Sequence, residues 1–482
     1  MMEEFGLKVG LEIHFQLDVK KKLFCNCSAA MSQKNPLFVV ERKLRPVPSE
    51  LGKVDVAAQF EFLRDRTFLY QVFKDEVCGV ELDEEPPHPV NKEALLIALQ
   101  VALLFNCSVP EEIHVMRKTV IDGSNTAGFQ RTMIVGKDGY LNYKGVKIPI
   151  TYVSLEEDAA AKVAEENGKV VYRLNRLGVP LVEVDTGIIK GLSPKEVEEV
   201  AYTIGLVVRS TRKIKRAIGA IRQDVNVSVP GGARVEIKGI QSLGLISKTI
   251  EAEIERQLSL IKRGEKVEPE TRSAKPDGTT EFMRPLPGEN RMYPETDIPP
   301  ITTKELLRIA SKTLPESVEK KLERFRKTYK LSEELISGLL KSDYFFTFED
   351  FVKKLKLEPK LVANVLANLL KDLRRRGLEV EEGKVFEVLK ALEEKRIAKE
   401  SVADILAYLA ENPEKSVEDA VKELNLQLLS EEEIEKIVRD IVESGTKNFD
   451  FVMKAVMSKV RGKADVQTVV KVVKRLIGRN KN

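Results

Sequence analysis

Apolar and polar residues alternate without a break from Val9 to Leu17, V-G-L-E-I-H-F-Q-L. As a strand, this stretch sends Val9, Leu11, Ile13, Phe15 and Leu17 to one face and Gly10, Glu12, His14 and Gln16 to the other. The first face is core. The second carries a carboxylate, an imidazole and an amide in a row. It is either a solvated outer face or the floor of a polar site, with Glu12 and His14 as metal or proton-transfer groups. Further strands are predicted at Tyr140–Tyr143, Lys147–Val153, Val170–Leu174, Leu181–Asp185, Ala220–Val229 and Ala233–Ile240. Ser193, Pro194 and Glu196 form a capping-box start for a helix with the stripe Val197, Val200, Ala201, Ile204 and Val208. Another helix is predicted from about Ser247 to Arg263, with Ile250, Ile254, Leu258 and Ile261 on one side and Gly264 as its stop. Ala94–Phe105 reads as a buried helix opened by Asn91.

Residues 271–300 carry six prolines and read as a long structureless connection, functional or a boundary. Beyond them the spacing becomes helical, as in Leu361, Val362, Val365, Leu366, Leu369 and Leu370, with Gly377 as a stop and Leu378–Phe386 extended. A second helical unit starts near Ser401 and ends in a basic amphipathic helix, Asp465–Ile477, stopped by Gly478. The fold class is therefore α+β, a mixed α/β part followed by all-α parts.

A chain of 482 residues suits about three domains. It has no apolar run of about 18 residues, so no membrane span is expected. The start M-M-E-E-F-G has neither the basic nor the apolar region of a signal peptide, and four cysteines make no disulfide framework. The expected compartment is the cytoplasm. The net charge is only +4, yet Arg209, Arg212, Lys213, Lys215, Arg216 and Arg222 follow one another with no acid between them. From Lys447 onward ten Lys and Arg face two Asp. Two such patches point to a polyanion held at two places.

Four more clusters bear on chemistry. Leu155–Asp158, L-E-E-D, is predicted to end a strand and open a short helical run. Its three acids suit either a helix N-terminus or a hard divalent cation. Glu183 stands among valines in L-V-E-V and needs a partner, either a salt bridge or a cation. One imidazole with several carboxylates suits Mg²⁺ or Mn²⁺ better than zinc. Arg117–Arg131, R-K-T-V-I-D-G-S-N-T-A-G-F-Q-R, sets glycines and hydroxyls between basic ends, as a loop around phosphate oxygens needs. Lys118, Ser124, Asn125, Thr126, Gln130 and Arg131 are its candidate ATP or substrate contacts, though no P-loop is present. Gly219–Lys238 reads as a hairpin turning at Pro230–Gly232, with Arg222, Asp224, Asn226 and Ser228 on one face and Arg234, Glu236 and Lys238 returning. Cys25, Cys27 and Cys78 fall one ligand short of a zinc site, with His88 the candidate fourth. Cys107 reads as core.

Taken together, these residues resemble the tRNA-dependent amidotransferase B/E family, and the archaeal-type E subunit most strongly. The resemblance is carried by G-L-E-I-H (10–14), V-E-L-D-E-E-P-P-H (80–88), residues 116–131, L-E-E-D-A (155–159), N-R-L-G-V-P-L-V-E (175–183), I-R-Q-D-V-N-V-S (221–228), V-E-I-K-G (235–239) and R-M-Y-P-E-T-D-I-P-P (291–300). It implies a cradle-shaped, kinase-like catalytic domain over 1–302, a helical domain over 303–398 and a tail resembling a tRNA-elbow-binding module over 399–482.

The resemblance also implies a reaction: ATP phosphorylates the γ-carboxylate of glutamate on tRNA(Gln), and ammonia then displaces the phosphate. Ammonia would come from an asparaginase-like D subunit, a glutaminase, in a heterodimer or heterotetramer. Carried over, His14, Glu157 and Glu183 would hold Mg²⁺ beside Glu12; by charge and placement, Lys118 and Arg222 are expected to touch phosphate and Asp224 and Asn226 to take positioning roles. Lys454, Lys459, Arg461, Lys463, Lys471 and Lys474 of the tail would grip the tRNA backbone. Zinc is not expected. The alternatives are a non-catalytic tRNA-binding scaffold and amidation of Asp-tRNA(Asn). One departure stands out: the inserted domain related to one in bacterial aspartyl-tRNA synthetases is missing, and E-T-R-S-A-K-P-D-G-T-T (270–280) runs straight through.

Overall fold

The computed structural model describes residues 6–48, 52–217, 219–288, 291–443 and 448–479. The chain divides into two compact units, Met1–Val318 and Glu319–Asn482.

The first unit is built on a ten-stranded sheet in which Lys8–Gln16 is central, flanked by Pro180–Thr186 and Ile221–Ser228, both antiparallel to it. Outward on one side follow the hairpin Val146–Glu157 with Phe129–Tyr143, then Met116–Thr119 and Met292–Pro294. On the other side lie Val235–Ile240, Glu270–Ala274 and Thr280–Pro285. The predicted alternation holds: Val9, Leu11, Ile13 and Phe15 are at most 2% exposed. They form one core with Ile97 and Val101 of helix Lys92–Leu104, Val197, Val200, Ile204 and Val208 of helix Pro194–Arg209, and Ile246 and Ile250 of helix Leu243–Lys262. Asn91 caps the first of these helices and the Ser193–Glu196 capping box starts the second, both as the sequence predicts. Helices therefore cover one face of the sheet and leave its charged face to build a site. Cys107 belongs to this core. A second sheet of four strands, Phe38–Arg42, Thr67–Val72, Lys169–Arg173 and Ala161–Glu166, packs around Tyr70 and Tyr172.

Three expectations are corrected in this unit. The third helix begins at Leu243 and buries Ile246, Ile250, Glu253 and Gln257, leaving Leu258 39% exposed. Glu253 is buried because Arg256 and Gln257 bond it, so the true buried stripe is partly polar. L-E-E-D opens no helix; the chain passes instead into the strand Ala161–Glu166. The proline-rich stretch is not structureless. Glu270–Ala274 and Thr280–Pro285 pair as a hairpin closed by Lys275–Thr279, where Gly278 has φ +92° and Asp277 caps Thr279. That turn stands where the resemblance puts the inserted domain.

The second unit is helical. Phe325, Tyr329, Phe345 and Phe348 form edge-to-face pairs at its start. The stretch beginning at Pro359 is helical through Arg375, with a wider turn at Val365–Leu369. Leu378–Phe386 is not wholly extended, because helix Glu382–Glu393 begins within it. The chain ends in three helices, Glu431–Glu443, Phe449–Val460 and Val466–Arg479, packed through Ile434, Val438, Val452, Val456, Val469, Val472 and Val473. The last helix runs on through Gly478 instead of stopping there.

Beside the aromatic cluster lies Glu349, only 3% exposed, which takes Arg324 Nε at 2.6 Å and Nη2 at 2.9 Å and is also paired with Lys321. Burial pushes its carboxyl up, but Arg324 and Lys321 more than reverse this and hold it at about 2. A carboxylate whose folded value lies below its unfolded value stabilises above the unfolded value, and that stabilisation fades as pH falls toward the folded one. Glu349→Gln is therefore expected to destabilise the second unit by about 3 kcal/mol at pH 7. In thermal unfolding followed against pH, the gap to the wild type should close between about pH 4.5 and 2.

Candidate active site

The charged face of the large sheet is continuous because cross-strand partners share a side. His14 lies opposite Glu183 on one neighbour and Arg222 on the other, and Glu12 lies opposite Asp185 and Asp224. His14 Nε2 is 2.9 Å from Glu183 Oε1 and 3.5 Å from Glu156 Oε1. Glu156 is held in turn by Lys118 Nζ at 3.2 Å and Gln130 Nε2 at 3.0 Å. Lys238 joins Asp224 at 2.8 Å to Glu236 at 2.9 Å, and Asn226 donates to Glu12 at 2.8 Å. Arg222 Nη2 donates at 2.7 Å to Asp158, which is wholly buried and also takes Gln16 Nε2 at 2.6 Å.

These pairings decide the charge states. Burial alone would lower the His14 imidazole, but Glu183, with Glu156 and Asp224 nearby, raises it to about 9. Burial pushes Glu183 up, and His14 and Lys118 draw it well below the ordinary carboxylate range. Glu12 and Asp185 go the other way. Burial raises both, and their mutual neighbour Glu183 adds to it, although Lys238 offsets part of the rise at Glu12. Asp185 Oδ1 is shut off from solvent with no hydrogen-bond partner among the described residues.

The sequence reading set Glu157 beside His14 and Glu183, whereas the structure brings Glu156 there. In the strand Val146–Glu157, Val153 and Leu155 belong to the core, so Ser154 and Glu156 point to the charged face and Glu157 points away. Glu157 instead accepts the Arg131 backbone N–H at 3.2 Å and lies 3.6 Å from that guanidinium. Arg131 also leaves the predicted substrate set: its Nε donates at 2.7 Å to Glu295, which pairs with Arg117 as well. Ser124, Asn125 and Thr126 are likewise drawn into the structure of their loop. Ser124 donates to Asp122 at 2.6 Å, Thr126 donates to the Glu81 carbonyl at 2.6 Å, and Asn125 is 2% exposed. Tyr70 and Tyr172 of the small sheet hold the carbonyls of Gly123 and Asp122. Of the predicted residues, Glu12, His14, Lys118, Gln130, Glu183, Arg222, Asp224 and Asn226 share the charged face.

The sequence reading gives no individual role to Glu156, Asp158 and Lys238, which it names only within their segments, nor to Asp185. The period-two rule held the signal for the first: counted from Leu155, only Glu156 of the two glutamates falls on the polar side.

His14, Glu156 and Glu183 offer one imidazole nitrogen and two carboxylates close enough to share an ion, a donor set suited to Mg²⁺ or Mn²⁺. A separate group gathers Cys25, Cys27, Cys78 and Glu81, with Cys25 Sγ 2.8 Å from Glu81. The fourth donor beside the cysteines is thus Glu81 and not His88, which pairs with Glu85 at 2.7 Å. Lys22, wholly buried, lies 3.3 Å from Glu81 in the same group. In the terminal helices Lys454, Lys459, Lys471 and Lys474 are exposed, and in the turn between the last two Arg461 is exposed and Lys463 half-buried. Lys471 lies 3.8 Å from Glu431, which also pairs with Arg475.

Comparison with known proteins gives the family. Residues 7–308 match the GatB/GatE catalytic domain and residues 347–477 match a GatB domain. The E subunit of glutamyl-tRNA(Gln) amidotransferase from Methanocaldococcus jannaschii is 37% identical, with 98% of this chain and 98% of that protein covered. Its counterparts in Pyrobaculum islandicum and Aeropyrum pernix are 37% and 36% identical, each over 98% of this chain and over 99% and 97% of their own lengths. The first alignment runs over 622 positions against a chain of 482 residues, so a substantial part of that relative has no counterpart here. The chain belongs to the GatB/GatE family of glutamyl-tRNA(Gln) amidotransferase subunits.

Proposed function

We propose that this chain activates the side-chain carboxylate of glutamate on tRNA(Gln) with ATP and then amidates it. The observation that carries this reading is the charged sheet face, where His14, Glu156 and Glu183 converge and the cations Lys118 and Arg222 stand on either side. A γ-carboxylate oxygen attacks the γ-phosphorus of ATP, the bridging P–O bond breaks and ADP leaves. Ammonia then attacks the acyl carbon, the C–O bond to phosphate breaks, and phosphate and one proton depart. Two anions must approach each other in the first step, so positive charge has to be fixed in advance. His14, Glu156 and Glu183 would hold a divalent ion, which when bound would supply part of that charge as a Lewis acid. Lys118 supplies more from the Glu156 side, and Arg222 from the opposite side, where buried Asp158 fixes its guanidinium. Asp224 and Asn226 keep Lys238 and Glu12 in place. A tRNA-binding scaffold gains nothing from half-burying so many ionised groups, since each costs desolvation energy.

Ammonia is supplied in this reading by an asparaginase-like D subunit, and the exposed cations of the terminal helices hold the tRNA backbone. The domains of the reading are the catalytic cradle (1–302), the helical domain (303–398) and the tail (399–482).

Supplying ammonium chloride in place of the partner gives the direct test. Glu-tRNA(Gln) and Mg·ATP should yield Gln-tRNA(Gln) together with tRNA-dependent ADP release. Absence of both products, with and without a D-type partner, would overturn the proposal. Metal binding is followed separately by the Mn²⁺ EPR signal. Glu156→Gln and Glu183→Gln should each weaken Mn²⁺ at least about 10-fold, and Glu157→Gln should leave it within about 3-fold. Loss of Mn²⁺ in Glu157→Gln with Glu156→Gln unaffected would return the ligand assignment to Glu157. For the tail, Lys454→Glu with Lys474→Glu in the full chain should weaken tRNA binding and flatten the plot of log affinity against log salt. The slope should change by about 0.7–0.9 for each phosphate contact removed.

A further inference from the structure

A cavity of about 490 Å³ opens at the start of the central strand, lined by Lys8, Gly10, Glu12, Tyr152, Asp185 and Asn226 among others. It adjoins the charged face and shares Glu12 and Asn226 with it. Two of its walls are the cross-strand partners Glu12 and Asp185, and like charges directly opposite one another destabilise a sheet. The neighbouring cations are engaged elsewhere: His14 with Glu183, Lys118 with Glu156, and Lys238 with Asp224 and Glu236. Glu12 receives only the Asn226 amide and, at 4.0 Å, Arg234, while Asp185 Oδ1 receives no donor among the described residues. Lys8 and Arg234 also line the cavity, but of these only Arg234 is paired with Glu12, at 4.0 Å, so among the described residues the acid pair is incompletely compensated and leaves room for a further cation.

We propose that the cavity receives the α-ammonium group of the tRNA-bound glutamyl residue, held by Asp185 and Glu12, while its γ-carboxylate reaches His14, Glu156 and Glu183. The substrate's own dimensions support this. Four bonds of about 1.5 Å separate the α-nitrogen from the γ-carboxyl carbon, a reach of about 5 Å when extended. The carboxylates of Glu12, Asp185 and Glu183 lie within 4.8 Å of one another, so one residue can touch both ends of the row. Lys118 and Arg222 flank the His14 row on either side, so the phosphate would meet cations beside the row and not at the cavity end. An aspartyl ester is one methylene shorter, so an ammonium anchored on Asp185 holds its carboxylate about 1 Å farther from the His14 row.

This inference rests on the proposed function, and the test separates the two. Full-length protein with ammonium chloride and Mg·ATP is given Glu-tRNA(Gln) or the same RNA carrying a 2-hydroxyglutaryl ester, in which a neutral hydroxyl replaces the ammonium at almost the same size. The wild type should lose about 30-fold in kcat/KM with the hydroxy ester, the scale of a charged hydrogen bond. Asp185→Asn, nearly isosteric, should lose as much with Glu-tRNA(Gln), chiefly in KM, and should treat both esters within about 3-fold. Glu12→Gln should repeat the pattern, with folding of both variants checked by circular dichroism. Wild-type indifference to the hydroxy ester, undiminished discrimination in both variants, or recovery of the variants with raised Mg²⁺ would overturn the inference and leave the amidotransferase reading standing. Failure of the wild type to use Glu-tRNA(Gln) at all would overturn both.

Discussion

The site depends on the two-sidedness of one strand. Lys8–Gln16 must be apolar on one side to anchor three helices, and period-two geometry then forces Glu12, His14 and Gln16 onto a single opposite side. Its neighbours obey the same rule, so charges distant in sequence, such as Glu156, Glu183, Arg222 and Lys238, meet without any loop having to place them. A site carried on strands is held more stiffly than one carried on loops, which suits a reaction whose barrier is lowered mainly by charge fixed in advance. The same rule creates the electrostatic problem of the site: six carboxylates, Glu12, Glu156, Glu183, Asp185, Asp224 and Glu236, share one face. Lys118, Lys238 and His14 offset most of them. The imbalance that remains lies at Glu12 and Asp185.

How much could be read from the sequence follows the range of the signal. Strict alternation and helix caps are local, so the central strand, Glu12, His14, Glu183, and the Asn91 and Ser193 helix starts were legible. Long-range matters were not. Asp158 looks like the third of three surface acids until the fold brings Gln16 and Arg222 to it from remote strands. The helix Leu243–Lys262 was placed one stripe wrong because Glu253 and Gln257 count as polar, yet they are buried against one another and Arg256. Ser124, Asn125 and Thr126 have the composition of a phosphate loop, but their hydrogen-bonding groups are largely used within the protein. Composition cannot distinguish a loop that binds a ligand from one that binds its own fold.

The hairpin at 270–285 shows how the chain closes without the inserted domain. Glu270–Ala274 runs parallel to Val235–Ile240, and Thr280–Pro285 turns back as the sheet edge. The turn needs only Asp277, Gly278 and two backbone bonds between Lys275 and its neighbours. This edge lies four strands from the central one, so its closure leaves the His14 row in place. Phe282 is 50% exposed there and meets Phe60 edge-on, which leaves an apolar spot at the point of closure.

Glu157 stands apart from the charged face, because its role lies behind the sheet. It sits at the end of the core-facing row, where Arg131 spans from it to Glu295 and Arg117 continues the chain of charges. The Arg131 and Arg117 guanidiniums both stack on Phe129, at 5.1 and 4.7 Å. Glu295 belongs to the proline-rich segment, so this network clamps that segment onto the strand that ends in Glu156 and Glu157. Two adjacent glutamates thus divide the work by parity. Glu156 joins His14 and Lys118 on the charged face, and Glu157 secures the strand that presents it.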